Sequence, residues 1–196
     1  MLQEIQDSLK QYGKRPIKRL ADLGLLSPSL QAVHATHLNE EDIRLLKHSN
    51  AHVIHCPESN MKLGSGIAPV PKLIKKGVPV GLGTDGCASN NDHDLFSEMD
   101  TAAKLHKVAL LDPTVMDART TLKMATIQGA CAIGLGQTTG SLEKGKRADI
   151  ILVDIEKPHT TPMYDPYSCL VYSAKSSDVS LVMVDGKILV QKGKIV

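Results

Sequence analysis

Three short apolar segments, separated by stretches with helical periodicity, most constrain how this 196-residue chain can fold. They lie at residues 30–38, 51–56 and 78–83. Each connection is long enough to hold a crossover helix, which parallel strands require. We therefore predict an α/β fold with β-α-β-α-β order and parallel strands. Because three such strands cannot close a barrel and would leave exposed sheet edges, we expect the chain to be part of a larger architecture.

Capping residues mark where the helices begin and end. Asn39 is predicted to cap the next helix, because its side chain can accept a hydrogen bond from a free backbone N–H group. Acidic residues 40–42 follow in the first turn, where the helix dipole favours negative charge, and Asn50 is predicted to end the helix. Two longer helical stretches are predicted at residues 94–111 and 117–135.

The last part of the chain has a different pattern. An apolar run at residues 150–155 is followed by two β-branched runs on either side of Asp185-Gly186, a pair typical of two-residue hairpin turns. We therefore predict antiparallel β-structure here, and a division into domains at residues 1–139 and 140–196.

Composition and charge exclude some classes of partner. The 23 basic and 21 acidic residues nearly cancel, and one Phe and four Tyr offer few rings for stacking on bases, so no nucleic acid is expected. No apolar run approaches the roughly 20 residues that span a membrane, so no membrane partner is expected either. The four cysteines are scattered and form no CxxC pair, which favours free thiols and a cytoplasmic location.

Each predicted strand ends with polar residues that could carry chemistry. The first predicted strand carries His34 and His37, His55 is in the second, and the third runs into Asp85. Histidine and aspartate arriving together at the carboxyl ends of parallel strands would suit a metal-dependent hydrolase. Taken singly, each residue has a structural interpretation as a hydrogen-bonded histidine or as an aspartate in a turn.

Four segments together resemble the C-terminal half of the amidohydrolase superfamily. They are HATHL, HCPESNMKLGSGIAPV, GLGTDGCASNN and GSLEKGKRADIILVD. The resemblance is to the group of S-adenosylhomocysteine and 5′-methylthioadenosine deaminases and related triazine chlorohydrolases. It implies that residues 1–139 form strands six to eight of a (β/α)8 TIM-type, metal-dependent hydrolase barrel. Residues 140–196 would then form the C-terminal portion of a small β-sandwich.

The resemblance also implies roles for individual residues. Asp85 matches the metal-binding aspartate, expected to accept a proton from water and to contact substrate. His34 matches the histidine that interacts with that water, and His55 is expected to shape the substrate pocket. His37 is expected to be structural. Polar residues on the same face are expected mainly to hold loops: Ser59, Asn60, Ser89, Asn90 and Asn91.

The metal site implied by the resemblance needs ligands that this sequence lacks. The family holds zinc, or another divalent metal, with an H-x-H pair, a further histidine and the aspartate, and no H-x-H pair occurs here. We expect those histidines and a catalytic glutamate upstream of Met1. The chain alone is therefore expected to be inactive and not to retain zinc.

The implied reaction is hydrolytic deamination of an adenosine-type thioether, 5′-methylthioadenosine or S-adenosylhomocysteine, to the inosine analogue and ammonia. We expect a small nucleoside-type substrate and a homo-oligomer. Two alternatives stay open. One is a different substrate, such as guanine, another aminated heterocycle or a chlorinated triazine. The other is a non-catalytic, truncated remnant that acts as an assembly module.

Overall fold

The computed structural model of this chain describes residues 2–196, which fall into two compact units. One unit ends at His93 and the other begins at Asp94. Both are described separately below. This division differs from the predicted boundary between a barrel domain, residues 1–139, and a sandwich domain, residues 140–196. The domain boundary stays a prediction.

The first unit contains a three-stranded parallel sheet. Its strands are β1 (Gln31–Val33), β2 (His52–His55) and β3 (Val80–Leu82), in that spatial order. Ala32 lies opposite Val53, and Ile54 lies opposite Gly81. The predicted order of three parallel strands is confirmed. It brings the carboxyl ends of all three strands to one edge of the sheet.

Strand β1 is shorter than predicted, and His34 and His37 lie beyond its end. His34 has φ 69° and Ala35 has φ 51°, both in the left-handed region that cannot continue an extended strand. The His34 N–H still donates to the carbonyl of Ile54 at 2.9 Å. His34 is therefore the first residue of the loop and remains tied to β2.

Six helices accompany this sheet, and their boundaries agree in part with the predictions. Asn39 accepts a hydrogen bond from the Asp42 N–H, and Asn50 ends its helix in the left-handed conformation, so both predicted caps are confirmed. The predicted loop after β2 instead begins with a helix, and Pro57 occupies its first turn. The six are α1 (Leu2–Tyr12), α2 (Pro16–Asp22), α3 (Glu40–Ser49), α4 (Pro57–Lys62), α5 (Val70–Lys75) and α6 (Cys87–Asn90).

The second unit begins with helices. The longest is α7 (Leu95–Leu110), with 16 residues. The single stretch predicted at residues 117–135 forms two helices, α8 (Ala118–Ala125) and α9 (Ile127–Ala132), because Thr126 has non-helical angles of φ −121° and ψ −101°. Within residues 2–196, no helix combines the length and apolar character needed to cross a membrane.

A four-stranded antiparallel sheet completes the second unit. Asp185 and Gly186 have φ values of 50° and 77°, as the two central residues of a type I′ turn require, and Val184 pairs with Lys187 across it. The predicted hairpin is confirmed. The strands, in spatial order, are β4 (Ile150–Val153), β5 (Val179–Val184), β6 (Lys187–Gln191) and β7 (Lys194–Ile195), and a short helix, α10 (Pro166–Ser168), lies in the connection between β4 and β5.

Candidate active site

The loops that follow β1 and β3 bring His34 and Asp85 together. The imidazole Nε2 of His34 lies 3.8 Å from Oδ2 of Asp85. Strands β1 and β3 flank β2, so their axes are about 10 Å apart, and both side chains lean inward to meet. The predicted convergence of these two residues on one face is confirmed.

The backbone at both residues has an uncommon conformation. His34 has φ 69° and Asp85 has φ 63°. Histidine and aspartate tolerate this left-handed region better than most residues, and such conformations cluster at functional sites. Just before Asp85, a Cβ atom at Gly83 would lie 2.9 Å from the Ile54 Cγ2 atom, so glycine lets this loop run close to β2.

Two serine hydroxyls hold the Asp85 carboxylate. Ser59 Oγ donates to Oδ2 at 2.6 Å and Ser89 Oγ donates to the same oxygen at 2.7 Å. These bonds, Ser59 first, lower the pKa of Asp85 from 3.8 to about 2, with a further contribution from the Gly86 backbone. The carboxylate is therefore ionised at neutral pH. Since hydroxyls carry no charge, its negative charge is not neutralised by them.

His34 is held by an amide side chain on its other side. Its Nδ1 atom lies 2.9 Å from Oδ1 of Asn60, a residue that is only 2% exposed. Asn60 follows Ser59 directly in α4. Two consecutive residues of one short helix therefore contact the two side chains that converge from β1 and β3.

The other predicted site residues have different surroundings. His55 is 0% exposed, so its predicted contact with substrate gains no support from its position and stays a prediction. The His37 carbonyl accepts a hydrogen bond from Arg15, which fits its structural interpretation. Asn90 donates to the carbonyl of Thr84 at 2.8 Å, and Asn91 ends α6 in the left-handed conformation, so both hold the Asp85 loop.

A cavity of about 360 Å³ borders His34 on the side of α1 and α2. Arg15, Ile17 and Leu30 are among its lining residues, and Asp85 is not. Because it does not reach both members of the pair, we assign no part of a reaction to it.

The donor chemistry of the pair fits one side of a divalent metal site. Asp85 offers an ionised carboxylate with 28% of its side chain exposed, and carboxylate oxygen is a ligand of zinc and of harder cations. In the part of the chain that the structure describes, no group of three or more His, Cys, Asp or Glu side chains could hold a metal ion.

Sequence reasoning assigned Ser59 and Asn60 a general structural role and missed which residues they hold. Ser59 contacts Asp85 and Asn60 contacts His34, and the two residues of each pair are 26 positions apart in the sequence. Their place directly after the strand that ends in His55, in a segment opened by Pro57, is the signal that could have indicated this role.

Proteins of known sequence and structure match nearly the whole chain. A 5-methylthioadenosine/S-adenosylhomocysteine deaminase of Syntrophobacter fumaroxidans is 54% identical over 192 residues, covering 98% of this chain and 44% of the relative. A 5'-deoxyadenosine deaminase of Methanosarcina acetivorans is 50% identical, with the same two coverages. The crystal structure of a Xanthomonas campestris adenosine deaminase with bound zinc superposes with a TM-score of 0.97 at 46% identity, covering 99% of this chain and 44% of that one.

The chain thus spans less than half the length of the relatives that it matches. The family model described as the amidohydrolase family matches residues 2–189. On the strength of that match, and of relatives that share half its residues or more, this chain belongs to the amidohydrolase family.

Proposed function

We propose that this chain is the C-terminal part of a zinc-dependent aminohydrolase that deaminates adenosine-type thioethers, 5′-methylthioadenosine or S-adenosylhomocysteine. The observation that carries the proposal is the convergence of His34 on an ionised Asp85 at 3.8 Å. The names of two relatives, both deaminases of 5′-substituted adenosines, support the substrate class. In this proposal β1 to β3 are barrel strands six to eight, and residues 140–196 belong to a β-sandwich.

Asp85 would be the ligand that this chain contributes to the metal. Three histidines from outside these 196 residues would complete the site, in keeping with the 44% of a relative's length that the chain spans. Zinc, when bound, lowers the pKa of water from about 16 toward 7 and so supplies a nucleophile at neutral pH.

Asp85 and His34 would have different roles toward the attacking water: Asp85 would take its proton and His34 would orient it. Asp85 accepts a hydrogen bond from the water and takes its proton as the carbon bearing the exocyclic amine is attacked. Its low pKa, about 2, keeps it in the ionised form that can accept a proton. His34, whose Nε2 lies 3.8 Å from Oδ2 of Asp85, orients the water. The catalytic glutamate expected outside these residues protonates the ring nitrogen, and the proton taken up by Asp85 goes to the departing amino group, which leaves as ammonia. His55 would shape the pocket around the base.

Activity assays on the longer protein that contains this segment test the proposal. Zinc-loaded protein should release ammonia from 5′-methylthioadenosine or S-adenosylhomocysteine faster than from guanine or a chlorinated triazine. His34→Gln should lower kcat/KM by about 10²–10⁴-fold, the range for lost proton handling, and Asp85→Ala by at least as much. Asp112→Ala, at an exposed turn, is the matched control and should leave kcat/KM unchanged.

Three results would count against parts of the proposal. Faster turnover of guanine or a triazine would change the substrate class while keeping the machinery. Zinc binding without ammonia release from any of these compounds would favour the non-catalytic assembly module. The proposed enzyme is a homo-oligomer, so a monomeric mass from light scattering would overturn that part alone.

A further inference from the structure

The contact between Asn60 and His34 determines which imidazole nitrogen of His34 carries the proton. Oδ1 of Asn60 faces Nδ1 of His34 at 2.9 Å. An amide oxygen can only accept a hydrogen bond, so this contact requires a proton on Nδ1. In a neutral imidazole the other nitrogen, Nε2, then carries a lone pair.

The surroundings of Nε2 agree with this tautomer. Nε2 lies 3.8 Å from Oδ2 of Asp85, which is too long for a hydrogen bond. That oxygen already accepts hydrogen bonds from Ser59 and Ser89. A proton on Nε2 would therefore have no close acceptor on Asp85, whereas a proton on Nδ1 has one on Asn60.

Backbone hydrogen bonds fix both ends of this contact. The Asn60 N–H donates to the Cys56 carbonyl at 3.0 Å, and the Asn60 carbonyl accepts from the Ser65 N–H at 2.9 Å. The His34 N–H donates to the Ile54 carbonyl at 2.9 Å. The amide and the imidazole are thus presented to each other by fixed backbone.

Stability alone gives no reason for an asparagine here. Asn60 is 2% exposed, and its Nδ2 atom is buried with no hydrogen-bond partner among residues 2–196. An unpaired buried donor is unfavourable, and a leucine of similar size would avoid it. What the asparagine supplies and leucine lacks is the acceptor oxygen that faces His34.

We propose that Asn60 is a positioning residue that holds His34 in the Nδ1–H tautomer, so that Nε2 is a hydrogen-bond acceptor beside Asp85. In the reaction, Nε2 then accepts a hydrogen bond from the attacking water and orients it. This second statement rests on the proposed function, whereas the tautomer does not.

Nitrogen NMR of the histidine side chains tests the tautomer directly. The full 196-residue chain is labelled with ¹⁵N-histidine and studied near pH 8.5, about two units above the ordinary histidine pKa, where imidazoles are neutral. His34, assigned through His34→Gln, should show a protonated Nδ1 and an unprotonated Nε2. Asn60→Leu should move the proton of His34 largely to Nε2, the form that free imidazole side chains favour.

The chain provides internal references for this measurement. The Nδ1 atom of His52 lies 3.1 Å from the Pro28 carbonyl, which can only accept, so His52 should stay in the Nδ1–H form in every variant. Asn90→Ala, which removes the hydrogen bond to the Thr84 carbonyl and keeps Asn60, should leave the His34 tautomer unchanged. If the His52 signal shows that Asn60→Leu is misfolded, Asn60→Ala replaces it.

Two outcomes overturn the proposal: a wild-type His34 with its proton on Nε2, or a His34 tautomer that is the same in folded Asn60→Leu or Asn60→Ala as in wild type. In the longer enzyme, Asn60→Leu should lower kcat at least tenfold with KM within twofold of wild type, and an unchanged kcat would overturn the role in orienting water. A tautomer that switches as expected in a protein that deaminates nothing would leave the positioning proposal standing and refute the proposed function alone.

Discussion

Asp85 in the first unit and Asp178 in the second have the same depressed pKa of about 2, for different reasons. Asp85 is 28% exposed and its carboxylate is held by two neutral hydroxyls. Asp178 is 1% exposed and accepts hydrogen bonds from His159 Nε2 at 2.8 Å, Lys157 Nζ at 3.1 Å and the Lys175 N–H at 2.8 Å.

The difference shows that a low pKa does not by itself mark a functional carboxylate. Around Asp178 the lysine side chain, and the imidazole when protonated, compensate the negative charge. The carboxylate ties residues 157 and 159, which follow β4, to the turn that precedes β5. Around Asp85 the donors stabilise the anion without compensating its charge. A carboxylate in this second situation remains available to a cation, which is what a metal ligand requires.

Removing Asp178 should therefore cost much more stability than removing Asp85. We expect Asp178→Ala to lower the free energy of unfolding by roughly 3 to 4 kcal/mol, because three donors lose the buried carboxylate that they share. Asp85→Ala should cost about 1 kcal/mol, since partly exposed Ser89 can turn to water and only buried Ser59 loses its acceptor. Urea denaturation followed by circular dichroism measures both, and equal losses would contradict the distinction.

Mild acid should also weaken the second unit before it affects Asp85. Burial lowers the pKa of His106 from 6.5 to about 4. Between these two pH values the histidine is protonated in the unfolded chain and neutral in the folded chain. Stability should fall by about 3 kcal/mol as pH drops through this window, and level off below it. Amide hydrogen exchange, read separately for the two units, measures the loss. His106→Gln should make the stability of the second unit depend less on pH between 6.5 and 4. A loss of exchange protection confined to the first unit would contradict this prediction.

The hydroxyl contacts of Asp85 should have a smaller effect that is confined to its own unit. Ser59→Ala should raise the pKa of Asp85 toward 3.8 and cost about 1 kcal/mol at neutral pH. Because the folded-state pKa is depressed, this contribution is present above about pH 4 and is lost as pH falls through about 2. Carboxyl ¹³C titration measures it, with Asp178 as the unchanged reference. A shift at Asp178 would show that the two sites are coupled.

The smallest expected effect is the response of this chain alone to zinc. One carboxylate falls far short of a four-ligand site, so zinc should perturb the Asp85 carboxyl signal weakly and without saturation. Asp178 should not respond, since it is buried and both of its oxygens already accept hydrogen bonds. Equilibrium dialysis checks this expectation. One tightly bound zinc per chain, removed by Asp85→Ala, would show that the other ligands lie within these residues.

Local sequence signals predicted much of the fold and half of the site. The Asn39 cap, the Asp185-Gly186 turn and the parallel strands each depend on neighbouring residues or on a repeating pattern. The strand-end rule placed His34 and Asp85 on one face. The early end of β1 was not predictable in this way, because a left-handed Ala35 has no marker in its residue type.

The contacts of Ser59 and Asn60 show why the rest of the site escaped prediction. Both serve residues that are 26 positions away, so only the three-dimensional arrangement of the strands reveals them. The helix that carries them is six residues long and has no buried apolar repeat of its own. A short polar helix of this kind is easily taken for a loop.

The placement of both contacts on α4 also affects how the site tolerates motion. Ser59 and Asn60 are adjacent, so any rigid displacement of this helix carries both anchor points by nearly the same vector. A rigid shift of α4 would therefore disturb the contacts to Asp85 and to His34 together, so the carboxylate and the imidazole depend on the placement of one short helix.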